Sequence, residues 1–271
     1  MSSLKIGIVG PGLIGKQLAA AFRDRKPAGL VLHAVAARNA EAAYADLNQL
    51  GVKVPVLPLA ELAREVDVVV ETTRAAAVRE VVEAAFAADK TVVIVSAAGL
   101  PQCWDLLEQS AATGRGRLII ASGAMPGLDS IRTAAEAGIT SLRMRSRFAV
   151  ALMSHDEHIK SLGIDLSQPL KEPVVAFRGN AVEAARTFPR HFNVGIALQV
   201  ASGLDTAIEV EMVIDPTISM PIHRIDVETP AGGYTLESRG ILTLPTRGSR
   251  LVAPSIMACL RRMVAPLSAG S

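Results

Sequence analysis

The chain has 271 residues, enough to bury a substantial core and to form two modest domains. Half of the residues are hydrophobic but only 3% are aromatic, so Ala, Val, Leu and Ile must fill the interior. With 28 Lys and Arg against 26 Asp and Glu the net charge is +2, and no basic run or aromatic-studded basic face argues for a nucleic-acid partner.

Met1-Ser2-Ser3-Leu4-Lys5 passes straight into an apolar run, so no signal peptide is expected. No apolar run approaches the ~20 residues of a membrane span. Cys103 and Cys259 are far apart, lack metal-ligand spacing and fit buried thiols in a reducing compartment. A cytoplasmic protein is expected.

Ile6 to Val9 predicts a buried strand, followed by Gly10-Pro11-Gly12-Leu13-Ile14-Gly15 and a helical pattern. Glycines at 10, 12 and 15 form G-x-G-x-x-G, with a strand before and a helix after. In a dinucleotide-binding turn Gly10 permits the tight bend and Gly12 lets backbone approach a pyrophosphate. Gly15 lets the helix pack on the strand. The helix start at Leu13 and Ile14 then presents N–H groups and a positive dipole end to the anion.

In that helix Ile14, Leu18, Ala21 and Phe22 share one face, and Pro27 and Gly29 stop it. Leu30 to Ala37 predicts the second strand. An acidic residue at its end would bond the ribose 2′-OH of NAD and repel a 2′-phosphate. Here the run is Ala36-Ala37-Arg38-Asn39, with no carboxylate until Glu41. Arg38 suits a 2′-phosphate or the adenine face, although a solvated arginine at a strand end needs no ligand. The expected cofactor is NADP or NAD, leaning to NADP.

Strands follow at Val66–Glu71, Thr91–Ser96 and Arg117–Ala121, alternating with helices that reach Ala88 and span Gln102–Thr113, the latter with Leu106 and Leu107 inward. Strands apolar throughout predict a parallel sheet covered on both faces. Ligands bind beyond the carboxyl ends of such strands, which lines up Gly10–Gly15, Thr72-Thr73-Arg74, Ala97–Gly99 and Ser122–Gly127.

Past Asp129 the texture changes. A helix at Ser130–Ala137 precedes β-rich runs at Ser141–Val150, Val174–Phe177, Ile208–Ile214, Arg224–Glu228, Tyr234–Arg239 and Ile241–Leu244, with a helix at Asn193–Ser202 among them. Grouped strands with helices predict a mostly antiparallel α+β domain. Ala151–Glu172 carries no clear pattern. A last helix, Ser255–Leu267, bears Ile256, Leu260, Met263 and Val264 on one stripe. The expected division is a Rossmann-type domain at 1–122, an α+β substrate and dimerisation domain at 123–248, and a C-terminal helix within 249–271 packing back on the first.

A nicotinamide cofactor carries hydride, so the protein need only place the substrate and manage a proton. Histidine is the first candidate for that proton. His33 lies within a strand. His155 and His158 flank Asp156-Glu157, where a metal pair would need a third ligand. His191 precedes a helix, and His223 opens a strand in Met220-Pro221-Ile222-His223-Arg224-Ile225, where a surface or capping role is equally open. Ser122-Gly123-Ala124-Met125-Pro126-Gly127-Leu128-Asp129 offers backbone N–H groups to a substrate carboxylate, or is a plain strand-to-helix turn. Asn193 stands where a helix N-cap belongs, or offers its amide to the nicotinamide carboxamide.

Gly10–Gly15, Ser122–Asp129, Phe188-Pro189 with Asn193-Val194, Asp215-Pro216 and Ile222-His223-Arg224-Ile225 occur together in this order over essentially the whole chain. In this combination the chain resembles the L-aspartate dehydrogenases. The resemblance implies a Rossmann domain plus an α+β domain that forms a homodimer. It also implies NAD(P)-dependent conversion of L-aspartate to iminosuccinate, and so to oxaloacetate and ammonia, or the reverse amination. In some bacteria the imine feeds pyridine nucleotide biosynthesis. It assigns cofactor contact to Ala124 and Asn193 and catalysis to His223. Arg145-Ser146-Arg147-Phe148-Ala149 and Thr246-Arg247-Gly248-Ser249-Arg250 depart from the family's Thr-Arg-Lys-Pro-Pro and Asn-Pro-Lys-Thr-Ser, and Glu71-Thr72-Thr73-Arg74 replaces a smaller segment. Arg145, Arg147, Arg247 and Arg250 are candidates to grip a dicarboxylate, unless the substrate differs. The alternatives are another imine or semialdehyde reductase on the same plan and a non-catalytic dinucleotide sensor.

The expected site is therefore His223 for catalysis; Gly10, Gly12, Leu13, Ile14, Gly15, Arg38, Thr72, Thr73, Ala97, Ala124 and Asn193 for the cofactor; and Ser122, Gly123, Asn193 and His223 for substrate, with no metal.

Overall fold

The computed structural model describes residues 3–154, 156–189, 191–243 and 248–270. They form two compact units, one holding the chain up to Gly123 with Val252–Ser268, the other Ala124–Leu251 with Ala269 and Gly270.

The first unit is built on five parallel strands: β1 (Leu4–Val9), β2 (Leu30–Ala36), β3 (Val68–Glu71), β4 (Thr91–Ile94) and β5 (Arg117–Ile120), in the order β2-β1-β3-β4-β5. Between them run α1 (Leu13–Arg25), α2 (Ala40–Gln49), α3 (Leu59–Glu65), α4 (Val78–Ala87) and α5 (Trp104–Thr113). Helices α2 and α3 break the simple alternation. Asn39 starts α2, its side chain accepting from the Ala42 N–H at 3.0 Å. Ile6, Ile8, Val35, Val68, Val70 and Val93 join Leu18 and Phe22 of α1 in one buried cluster. The C-terminal helix, Val252–Val264, packs on α1 and adds Ile256, Met257 and Leu260 to that cluster. It begins three residues before the apolar stripe predicts. Leu106 and Leu107 are only half-buried, and α5 buries no residue fully.

The strand order turns back at β1, which has β2 on one side and β3 on the other. Neighbouring strands there send their chains to opposite sides of the sheet, which opens a crevice at their carboxyl ends.

The second unit is a five-stranded sheet covered by helices. Its elements are α6 (Leu128–Glu136), β6 (Ser141–Ala149), α7 (Val150–Met153), α8 (Glu157–Ser161), β7 (Val174–Gly179), α9 (Ala181–Thr187), α10 (Asn193–Ser202), β8 (Glu209–Asp215), β9 (Ile222–Thr229) and β10 (Gly232–Arg239). The order is β10-β9-β6-β8-β7, antiparallel except for the β6–β8 pair. Asn180 and Glu183 close α9 with a reciprocal capping box. The strand expected at Ile241–Leu244 is reduced: Leu242–Thr243 pairs with Gly248–Ser249 as a separate two-stranded ladder, and Leu244 lies outside the described residues. Gly240 bonds back to Pro221 as the chain leaves the large sheet.

Because side chains alternate along a strand, the two faces of this sheet differ completely. One carries Leu142, Met144, Ser146 and Phe148 of β6 beside His223, Ile225 and Val227 of β9, all buried. The other carries ion pairs: Arg143–Glu209, Arg145–Glu211, Arg178–Glu211, Arg147–Asp215 and Arg224–Asp226.

Candidate active site

At the end of β1 the chain turns through Gly10, whose φ of 86° lies in the left-handed region and where a Cβ would stand 2.5 Å from a Thr73 methyl. A Cβ on Gly15 would lie 2.5 Å from the Gly10 carbonyl oxygen, so the helix start and the turn can meet only with glycine there. Gly12 is the opposite case: a Cβ there meets nothing within 4 Å, which leaves open space above the backbone. Gly12 caps α1 without a side-chain hydrogen bond, and no acid stands in the first turn. The N–H groups at Leu13, Ile14 and Gly15 thus begin a helix whose positive end is uncompensated. Tight glycines below and clear space above fit the pyrophosphate of a dinucleotide.

Thr72 and Thr73 fasten this turn to its neighbours. The Thr72 hydroxyl reaches the carbonyls of Gly10 at 2.7 Å and Val9 at 3.1 Å. Thr73 gives both its N–H (2.5 Å) and its hydroxyl (2.7 Å) to one oxygen of Glu71, a side chain with no exposed surface. The other Glu71 oxygen accepts from the N–H groups of Ser96 (3.0 Å) and Val95 (3.2 Å). Ala97, buried, follows directly and starts a 3-10 segment through Cys103. Arg38 lies just past β2, exposed, with no hydrogen bond or ion pair among the described residues. Past β5, Ser122 is half-buried, and the Gly123 N–H donates to the Ser255 hydroxyl at 3.0 Å, so that donor is already engaged.

In the second unit His223 is 5% exposed. The register sets it between Ser146 on β6 and Ser238 on β10, a polar row on an otherwise apolar face. The adjacent row, Met144, Ile225 and Leu236, has no polar member. The Ser146 hydroxyl and His223 Nδ1 are 2.9 Å apart. The Phe148 ring and the imidazole pack in a T-shaped arrangement at 5.6 Å between ring centres. Ser238 turns its hydroxyl to the Ala124 carbonyl at 2.7 Å, which pins the Ala124 segment to β10. Burial pushes the His223 pKa down to about 4, so the ring is neutral at working pH.

Phe192 rather than Asn193 caps α10, and Asn193 is its first helical residue, half-buried. The helix spans Asn193–Ser202 as expected, and the buried Phe192 ring packs over Gly195, leaving no room there for a Cβ. His191 stands between the Phe148 ring, at 5.7 Å, and the Asp156 carboxylate, at 3.6 Å. His158 packs edge-on against Phe188, and His33 lies 3.1 Å from Glu65. His155 and Arg247 lie outside the described residues. Arg145 and Arg147, expected near the substrate, sit on the sheet face opposite His223, paired with Glu211 at 2.8 Å and Asp215 at 2.5 Å. Strand alternation decides this: if Ser146 faces His223, its two neighbours cannot. Arg250 is exposed. Cys103 is pushed up to about 11 by burial and supplies no thiolate.

Ser146 and Glu71 are the site-forming residues that motif reading passes over. Ser146 has a signal in period two, being the polar member of the Met144, Ser146, Phe148 set. Glu71 has one as the lone charge closing the run Val68-Val69-Val70.

A glycine turn fit for a dinucleotide in a parallel-sheet unit, with a buried histidine in a separate mixed-sheet unit, is the plan of a two-unit NAD(P)-dependent dehydrogenase. Residues 10–121 match the family model described as homoserine dehydrogenase, NAD binding domain, and residues 129–263 match aspartate dehydrogenase, C-terminal. The L-aspartate dehydrogenase of Bradyrhizobium diazoefficiens is 34% identical over 270 residues, covering 100% of this chain and 95% of that protein. L-aspartate dehydrogenase 3 of Bordetella bronchiseptica is 32% identical over 268 residues, covering 99% of this chain and 98% of that protein. Among solved structures, aspartate dehydrogenase from Thermotoga maritima superposes with a TM-score of 0.73 at 23% identity, covering 98% of this chain and 99% of that one. Scyllo-inositol dehydrogenase from Lactobacillus casei shares the architecture at a TM-score of 0.54 and 16% identity, covering 97% and 87%. The chain belongs to the aspartate dehydrogenase family.

Proposed function

We propose that the protein interconverts L-aspartate and iminosuccinate with NAD(P), the imine hydrolysing to oxaloacetate and ammonia. Full-length similarity to relatives named L-aspartate dehydrogenase carries this reading. The dinucleotide is held by Gly10, Gly12 and Gly15 with the helix start at Leu13 and Ile14, beside Thr72, Thr73 and Ala97. Ala124 and Asn193 are the cofactor-contacting positions in the second unit. A nicotinamide dinucleotide held there would supply the acceptor for the hydride from the substrate Cα.

The protein's own task is the proton. As the Cα–H bond leaves with its electron pair, the amine nitrogen loses a proton and C=N forms. His223 takes that proton at Nε2, in the tautomer whose Nδ1–H donates to the Ser146 hydroxyl. A neutral ring is the form that can accept it, and the negative charge of a bound dicarboxylate raises its proton affinity when it does. On the hydrolytic side the same nitrogen steers the attacking water. Ser122 offers its hydroxyl to a substrate carboxylate, whereas the Gly123 N–H is spent on Ser255 and contributes by shaping the turn.

Reduction of NAD and NADP by L-aspartate at alkaline pH, against a panel of other amino acids, tests the reading. L-aspartate is expected to give the highest kcat/KM, and a better amino acid would replace it as substrate. Arg38, exposed and with no ion pair among the described residues, favours NADP through a charge-assisted contact to the 2′-phosphate. Arg38→Ala is expected to raise the Kd of NADPH by about tenfold and that of NADH by less than about twofold. Equal effects would remove the 2′-phosphate role. The self-complementary Arg and Glu rows of the open sheet face support a homodimer, which sedimentation velocity reads directly.

A further inference from the structure

Glu71 is a fully buried carboxyl group that the proton chemistry does not use. Burying a charge is costly unless donors surround it, and here four converge on two oxygens. Two of the donors belong to Thr73 in the turn after β3. The other two are the N–H groups of Val95 and Ser96, where the chain leaves β4. A second link joins the same two turns, the Ser96 hydroxyl to the Thr73 carbonyl at 3.3 Å. Thr73 also presses its methyl against Gly10, and Thr72 holds the Gly10 carbonyl. The side chain therefore ties together the strand-end turns of β1, β3 and β4, which line the mouth of the crevice.

An acceptor-only group is required at this point. Each oxygen receives two donors, so an amide of the same size must aim its own NH2 at two N–H or O–H groups whichever way it is turned. An apolar side chain would leave the buried N–H groups of Val95 and Ser96 without partners. A glutamine or leucine would fill the space, but the turns would move apart to find other acceptors.

We infer that Glu71 is a positioning residue for the dinucleotide: its carboxylate presets the spacing of the β1, β3 and β4 turns, and Thr72 and Thr73 transmit that spacing to the glycine turn. The inference rests on the reading that this unit binds NAD(P). The glycine turn selects for a pyrophosphate by local geometry, while Glu71 holds that turn ready before the ligand arrives. Such preorganisation acts on cofactor affinity more than on the chemical step.

The test is nucleotide fluorescence titration of the full chain with NADH and NADPH, paired with steady-state kinetics. Glu71→Gln is expected to raise the Kd of both nucleotides by about tenfold or more and the cofactor KM in parallel, with kcat at saturating cofactor changed by less than about threefold. A folded Glu71→Gln protein with wild-type Kd, or one that loses kcat while keeping cofactor KM, overturns the inference. Circular dichroism and urea unfolding establish that it is folded. If Glu71→Gln does not fold, Thr73→Val and Thr73→Ser decide: removing the hydroxyl donor raises Kd by ~3-fold or more and serine restores it, whereas a wild-type Kd in Thr73→Val overturns the inference. Wild-type protein that binds neither nucleotide overturns both this inference and the dinucleotide reading beneath it. Binding in wild type with no loss in Glu71→Gln overturns the inference alone.

Discussion

Glu71 and His223 are both buried ionisable side chains near strand ends, one in each unit, and they are held in opposite ways. Glu71 has four donors on its two oxygens, three backbone N–H groups and the Thr73 hydroxyl, a set that suits a carboxylate and fixes the turns that supply it. Among the described residues His223 has one hydrogen-bond partner, Ser146, with Ser238 turned to the Ala124 carbonyl and the Phe148 ring packed against it, so burial acts on it with little compensation and keeps it neutral. A fully satisfied buried charge is a structural anchor, with nothing left to give a substrate. A ring with one hydrogen bond among the described residues, at Nδ1, suits the proton role proposed for Nε2. The difference separates a residue that shapes a binding site from one suited to chemistry.

The largest effect expected from this contrast is in His223→Ala, which should lower kcat by roughly 100-fold or more while leaving the NADH and NADPH Kd unchanged. Retained turnover, or a loss of nucleotide binding like that expected for Glu71→Gln, would erase the distinction. A second test uses stability. The folded pKa of His223 is lowered to about 4 from 6.5, so as pH falls the unfolded chain takes up the proton first. Its contribution is intact above the unfolded value, declines from there to about 4, and amounts to about 3 kcal/mol at full loss. Urea midpoints between neutral pH and pH 4.5 should therefore fall less steeply in His223→Gln than in wild type; equal slopes would mean that the ring titrates normally. The smallest effect belongs to the opposite sheet face. Arg145→Ala is expected to change stability by no more than ~1 kcal/mol and the KM for L-aspartate by less than about twofold. A tenfold rise in that KM would place the two faces of the sheet in one site and break the contrast between them.

Much of the first unit was legible from local signals, because its function lies in backbone. Gly10, Gly12 and Gly15 follow one another on a single turn, and a strand before and a helix after them suffice to read the arrangement. The apolar runs at Val66–Glu71 and Thr91–Ser96 read as buried parallel strands for the same reason, since sequence neighbours share one environment, and the strands form at Val68–Glu71 and Thr91–Ile94. In the second unit the residue types were readable and their partners were not. His223 stood out as a histidine opening a strand, yet the hydroxyl beside it comes from a position 77 residues away. Period two groups Ser146 with Met144 and Phe148 and apart from the arginines on either side, but nothing short-range says that a histidine lies beside it.

What the sequence by itself determined, then, is the strands of the two large sheets, the glycine turn between a strand and a helix, and the parity of each strand, because glycine conformation and side-chain alternation are local properties of the chain. Only the tertiary structure decided which parity faces inward and which strands become neighbours. Pairing β6 with β9 placed Ser146 against His223, and in the same step committed Arg145 and Arg147 to the charged face. Pairing β3 with β4 brought the Val95 and Ser96 N–H groups to Glu71. Register is set by how whole strands bury their apolar faces together, a cooperative choice that no single stretch of sequence carries.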